Sequence, residues 1–368
     1  MRRKLLFIGM ALPAVAAIAV AATVCLSGCA NLGYYWQSVS GHLQLMSAAK
    51  PVREWLVEEG TPERVREKLA LSQRIRDFAV RELKLPDNPS YRRYADLKRN
   101  AAVWNVTAAT AYSLDLKTWC FPVTGCVGYR GYYDEARARA EAKQLAEQGY
   151  EVNVYPVPAY STLGLMNWAG GDPLLSTFIG YPEGELARLL FHELAHQVVY
   201  AKNDTTFNES FAVAVERLGG ARWLREQASE AARREYADFD ARRAQFRALS
   251  RATRERLKAV YEQPGIDPAQ KEEAKQRIMA QFRADYAQLR STWSGDPARL
   301  RGYDRWVENA NNAFFGAQAA YDELVPDFEA LFHALGDDWP RFYDAVKQLS
   351  RLPNKEQRHQ RLKEAHRG

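Results

Sequence analysis

His192-Glu193-Leu194-Ala195-His196 sets two imidazoles four residues apart, with an acid beside the first. On a helix that spacing puts both rings on one face, one turn above the other, as two nitrogen ligands to one tetrahedral ion require. Glu193 lies on the same turn and can reach a water at such an ion without ligating it, the place of a general base in metal-assisted hydrolysis. The neighbours Leu189, Leu190, Phe191 and Leu194 are apolar. Burying two histidines and a glutamate among them is costly unless something satisfies them. A core helix with hydrogen-bonded histidines is the plainer use of these residues. A metal, taken as Zn2+, meets the needs of all three together.

A catalytic ion needs a third protein ligand and an open fourth position. Downstream stand Asn208-Glu209-Ser210-Phe211-Ala212 and, two turns further, Glu216. Asp204-Thr205-Thr206-Phe207 carries helix-capping residue types, so a tight turn there starts a second helix and folds Glu209 back beside the imidazoles. The pentapeptide resembles the Asn-Glu-x-Phe-Ala element of gluzincin aminopeptidases, which implies Glu209 as ligand, although the gap after the second histidine is shorter here. Counting as in thermolysin-like enzymes selects Glu216. That residue is therefore the substitute ligand or, like Asp204, a carboxylate that orients a ligand histidine.

The elements that position these residues follow from periodicity. Thr61-Pro62-Glu63 starts a helix whose apolar face runs to Leu85, before Pro86. Residues 101–116 alternate as a strand, Tyr129–Tyr133 begin a second strand or turn, and Asp134 caps a helix ending near Gly149. Glu151–Val157 alternate as another strand, so a small sheet with a helix across it is expected. From Glu183 onward the pattern is helical. Residues 221–262 and 268–293, broken at Pro264-Gly265, read as a long antiparallel hairpin with a solvated charged face. Residues 306–350 give two or three amphipathic helices, and the tail after Pro353 is expected to fray. The class is α+β, mostly α: a zincin-like small sheet plus metal helix, a helical hairpin and C-terminal helices. The expected division is 1–28, 29–220 (catalytic), 221–300 (hairpin) and 301–368 (helices packing on the catalytic part).

The N-terminus carries an address. Arg2, Arg3 and Lys4 precede an uncharged run ending in Leu26-Ser27-Gly28-Cys29, which resembles a bacterial lipobox. The resemblance implies that residues 1–28 are a signal peptide and that Cys29 takes the lipid. An uncleaved membrane anchor is the other reading of the run. Either places the body outside the cytoplasm. Ala30 and Asn31 lack the aspartate that commonly retains lipoproteins in an inner membrane, so an outer membrane facing the periplasm is expected. The formal charge of +6 falls to +3 without those three cations, and the signs are interspersed, so no nucleic-acid partner is indicated. Of four cysteines, Cys120 and Cys126 remain in a Pro/Gly loop, where an oxidising compartment favours a disulfide over two buried thiols.

Several segments together resemble one family of bacterial lipoproteins described as "putative aminopeptidases". They are the lipobox, Val127 to Tyr133, Ala159-Tyr160-Ser161-Thr162-Leu163-Gly164, Asp172 to Thr177, Phe191 through Glu216, Asn311-Asn312-Ala313 and the C-terminal helices. The resemblance covers nearly the whole mature chain and implies a zinc exopeptidase acting on peptides. One departure matters. The Gly-x-Met-Glu-Asn element that holds the substrate amine in large zinc aminopeptidases is absent, since Gly164-Leu165-Met166-Asn167-Trp168 has no glutamate there, so peptidase is better supported than aminopeptidase. Glu193 would take the proton of water and pass it to the leaving amine, and Tyr160 is the candidate donor to the oxyanion. Asp172, Glu183 and Glu185 are candidate amine-binding carboxylates, residues 151–162 a candidate substrate-pairing strand, and Tyr129, Arg130 and Tyr133 candidate cleft residues. His42, His333, His359 and His366 stand isolated. From a different class, a metal-stabilised scaffold binding an envelope partner through its hairpin remains as the alternative, but it would not need Glu193.

Overall fold

The computed structural model describes residues 33–121, 124–159, 161–295 and 297–365. Cys29, the leader over 1–28 and Tyr160 lie outside them. The chain divides between Ser47 and Ala48 into two units. The described part of the first, from residue 33 on, is helical, and this helix (α1, residues 33–48) ends one residue into the second unit.

In the second unit, alternation over Val103–Ala109 (β3) and Glu151–Val157 (β7) gives two antiparallel strands in full register, from Val103 opposite Val157 to Ala109 opposite Glu151. Short Arg130–Tyr132 (β6) pairs on the other side of β3, so the sheet order is β6-β3-β7. Asp134 caps Glu135–Glu147 (α4) by accepting Arg137 N–H, and α4 packs across β3 and β7. This is the small sheet with a crossing helix expected from the sequence. A second sheet joins Lys50–Pro51 (β1), Arg93–Ala95 (β2) and Leu174–Leu175 (β8), with β2 and β8 parallel. Trp119–Phe121 (β4) and Gly125–Val127 (β5) form a hairpin that the Cys120–Cys126 disulfide closes. Helices Val52–Val57 (α2) and Glu63–Arg81 (α3) precede these strands in part, and Leu69, Ile75 and Phe78 of α3 are buried.

From Glu183 the chain is helical: Glu183–Ala195 (α5), Thr205–Glu226 (α6), Glu230–Glu262 (α7), Pro268–Ser291 (α8), Pro297–Asn309 (α9), Asn312–Asp322 (α10), Val325–Ala334 (α11), Trp339–Ser350 (α12) and Lys355–Ala365 (α13). The fold is α+β and mostly α. Helices α5 and α6 approach closely because Gly219 and Gly220 leave room. A Cβ at 219 would stand 3.1 Å from Phe191 Cδ2 of α5, and one at 220 would stand 2.8 Å from Arg188 Cγ of α5. The interior between α3, α5 and α6 is filled by Phe78, Phe191 and Trp223.

Four element bounds differ from the sequence reading. The strand expected over residues 101–116 spans only Val103–Ala109, because the chain turns at residues 111–112. Helix α6 continues to Glu226, so the hairpin begins at Ser229, whose hydroxyl caps α7. Position 300/301 falls inside α9 rather than between elements. The tail after Pro353 is helix α13 and not frayed, because Leu362 is fully buried and Arg358 is 5 % exposed with its guanidinium on Asp204. The hairpin also does not stand free. Phe246, Leu257, Tyr261, Met279, Phe282 and Tyr286 form a core with Val307, Ala310 and Phe315, and Lys275 reaches Glu151 and the carbonyl of Ala111.

Candidate metal centre

Helix α5 carries Glu183 and Glu185 in its first turn, where acidic side chains suit the helix dipole, and the His-Glu-x-x-His run in its last. The turn that follows is built by side chains. Asn208 Oδ1 accepts Ala201 N–H (2.7 Å) and its Nδ2 donates to Ala201 C=O (2.8 Å), while Asp204 caps α6 by accepting Phe207 N–H (3.1 Å). Glu209 is thereby brought within the first two turns of α6, opposite the two histidines.

His192 Nε2 and His196 Nε2 stand 3.1 Å apart, and Glu209 Oε2 lies 3.4 Å from the first and 3.7 Å from the second. All three residues are buried. A tetrahedral ion with bonds of about 2.0–2.1 Å separates its ligand atoms by about 3.3 Å. The triangle found here has that size. Three electron-pair donors converging in a buried place repel one another unless a cation or protons sit between them. Two histidines and one carboxylate are also the donor set of an ion that keeps one position for solvent. His192, His196 and Glu209 form a cluster that could hold a metal ion.

Behind the cluster lies a second row of charge. Glu216, two turns after Glu209, accepts His192 Nδ1–H at 3.0 Å and receives the guanidinium of Arg188 on its other oxygen. This fixes the tautomer that leaves Nε2 free to ligate. Arg188, 4 % exposed, has Glu185 at 3.8 Å and Asp240 at 3.7 Å besides. Burial alone would raise the Glu216 pKa, but the Arg188 charge and the His192 hydrogen bond bring it down to about 2. Glu209 is likewise held well below the ordinary carboxylate range, burial being outweighed by His196 and His192. Glu193 moves the other way. Burial pushes its pKa up, against the opposing pull of His192 and His196.

The remaining candidates fall as follows. Asp204 does not orient a ligand histidine. It caps α6 and holds Arg358 Nε (2.8 Å) and His359 Nε2 (3.1 Å), so His359 is a satisfied residue. Asp172 is fully buried and accepts the N–H of Thr162 at 3.1 and 3.0 Å. Glu183 accepts the indole N–H of Trp223 (3.0 Å), and Glu185 pairs with Arg243 (2.5 Å). Arg130 pairs with Glu141 of α4 (3.3 Å), and the Tyr133 carbonyl accepts Arg99 (2.7 Å). Tyr129 lies within electrostatic reach of the cluster. Burial and the charges of Glu209 and Glu193 hold its pKa well above the usual phenol value.

Sequence reasoning missed three further tyrosines. Tyr321 of α10 stacks on the His192 ring, with centroids 6.4 Å apart and planes at 21°, and its pKa is raised by burial and then by Glu209. Tyr155 of β7 and Tyr200, just past α5, are pushed up to about 12 by burial, with Glu209 adding to it. These phenols stay protonated at neutral pH; Tyr200 donates to the Thr124 carbonyl (3.4 Å) and Tyr155 accepts from Asn105 (3.4 Å). The sequence signal for Tyr155 was its place in the alternation of β7, and none existed for Tyr321.

Comparison with curated proteins and with solved structures returns no significant match. A family model described as "Putative aminopeptidase" matches residues 33–362, a span that takes in α5, α6, the hairpin and the C-terminal helices. The chain belongs to that family.

Proposed function

We propose that this protein is a zinc-dependent peptidase, tethered to the bacterial envelope by a lipid on Cys29 and removing residues from peptide N-termini. The observation that carries the reading is the convergence of His192 Nε2, His196 Nε2 and Glu209 Oε2 with Glu193 on the adjoining helical position. His192, His196 and Glu209 would hold the ion, which when bound supplies Lewis acidity toward a water and the scissile carbonyl.

The chain's own groups do the rest. Glu193, next to His192 in the chain and within electrostatic reach of His192, His196 and Glu209, takes a proton from the attacking water and returns it to the departing amine. Its raised pKa narrows the gap between base and acid forms and suits both transfers. Glu216 and Arg188 keep His192 from turning, so the nucleophile is generated at one fixed place. The oxyanion needs a donor that stays protonated. Tyr160 is the candidate from the sequence, and Tyr129 and Tyr321 are the phenols that sense both Glu193 and Glu209.

The test is purification of the mature protein, metal quantification, and assay on peptide libraries with free and acetylated N-termini. Cleavage restricted to free N-termini supports the exopeptidase. Equal cleavage of both removes that part, and cleavage by Glu193→Gln at the native rate removes the mechanism.

A further inference from the structure

Seven large apolar side chains are conspicuously exposed among the described residues, and four of them sit on α1: Tyr35 (42 %), Trp36 (72 %), Val39 (54 %) and Leu43 (59 %). At 100° per residue, Trp36, Val39 and Leu43 fall within an arc of about 60°. The stripe occupies one side of the helix, and elsewhere on the helix Gln37 and Leu45 are buried. Such a face exposed to water is a recognition surface or a liability. Its chemistry is narrow. No Asp, Glu, Lys or Arg occurs from Leu5 to Ala49 in a chain that is 26 % charged, and Lys50 is the first cation after the stripe. Tryptophan and tyrosine beside aliphatic residues on a short helix is the composition of the membrane–water boundary. Among the described residues no helix is long and apolar enough to cross a bilayer, so this one would have to lie along its surface.

We infer that α1 lies in the surface of the phospholipid bilayer that carries the lipid of Cys29, with Trp36, Val39 and Leu43 turned into the acyl boundary. This rests on the lipid attachment proposed above. Only four peptide steps separate Cys29 from Gly33, a reach of about 14 Å at full extension, so an acylated Cys29 cannot leave α1 in bulk water. The helix then supplies a second membrane contact next to the first, and the chain leaves the interface near Lys50. Acyl chains alone hold one point, whereas acyl chains plus a flat helix also hold a direction.

The test uses the full mature lipoprotein in vesicles of phosphatidylethanolamine and phosphatidylglycerol. Single nitroxide labels are placed through Val39→Cys, Leu43→Cys, Gln44→Cys and Ala48→Cys, with circular dichroism confirming the native helix content. The expected result is that labels at 39 and 43 meet oxygen several-fold more than a water-soluble nickel chelate, and labels at 44 and 48 the reverse. Equal nickel access at all four positions overturns the inference. So does dipolar broadening between copies at 39 and 43 that persists at high lipid dilution, which would make the stripe a self-association face. Mass spectrometry of the N-terminal peptide separates the two readings. Lipid-buried labels on a chain lacking acylated Cys29 sink the anchor and leave the helix, while acylated Cys29 with water-exposed labels does the opposite.

Discussion

Glu216→Gln isolates the charge behind the metal ligands while keeping the shape of the side chain. In the native protein one carboxylate oxygen receives His192 Nδ1–H at 3.0 Å and the other receives Arg188. A hydrogen bond to a charged acceptor is worth roughly 1.5–3 kcal/mol. If that energy is what holds Nε2 toward the ion, its loss weakens metal binding by about 10- to 150-fold. Loss of a carboxylate behind a ligand histidine costs about 10- to 100-fold by an independent yardstick, so the two agree. Stability should suffer less than the ~3–5 kcal/mol of stripping a buried ion of its partner, because Arg188 keeps Glu185 and Asp240 within 4 Å. The assay is metal affinity by competition with a chromophoric chelator, alongside urea unfolding of the metal-free protein. Adding Arg188→Met to the variant removes the buried cation that has lost its nearest carboxylate. It should recover stability and leave the affinity loss in place. Unchanged metal affinity in Glu216→Gln would refute the orienting role.

Glu193→Gln should keep its metal and lose about 10²- to 10⁴-fold in kcat, read from peptide turnover beside metal content. Glu209→Gln should lose the ion, seen as loss of metal after dialysis while the circular dichroism stays native. Chelation should lower the melting temperature of the native protein, by the equivalent of about 2.7 kcal/mol when free metal had stood at a hundred times Kd, and should not move that of Glu209→Gln. Asp204 gives a pH signature. Burial would raise its pKa, but the hydrogen bonds from His359 and Arg358 outweigh it and hold the pKa low. Its contribution is therefore complete above the unfolded value of about 3.9 and is lost as pH falls through the lower folded value. Amide exchange along α13 should accelerate in that acid range, and Asp204→Asn should show the faster exchange already at neutral pH.

The parts of the centre that follow local rules were legible in the sequence. Two histidines four apart share a helical face wherever the helix sits, and the capping residue Asp204 announces the turn that returns Glu209 to them, whereas the clasp of Asn208 on Ala201 became visible only in the fold. Helix α4 was legible through its cap and β7 through its alternation. What escaped depended on distant segments. Tyr321 arrives from α10, more than a hundred residues after His192, and nothing in its neighbourhood marks it. Strands β1, β2 and β8 are two or three residues long, too short to show a period. Helix α13 was misjudged because its sequence is polar, and what fixes it is one leucine and an ion pair with Asp204. Arg188 lay in full view one turn before His192, yet its meaning came only with Glu216 facing it.

The tie between Asp204 and the pair Arg358–His359 staples the start of the helix bearing Glu209 to a helix 154 residues further along the chain. Damage to α13 would therefore be felt at a distance: with Arg358 and His359 gone, the carboxylate at the head of α6 loses both partners, and the helix that carries Glu209 is held less firmly where it faces the two imidazoles.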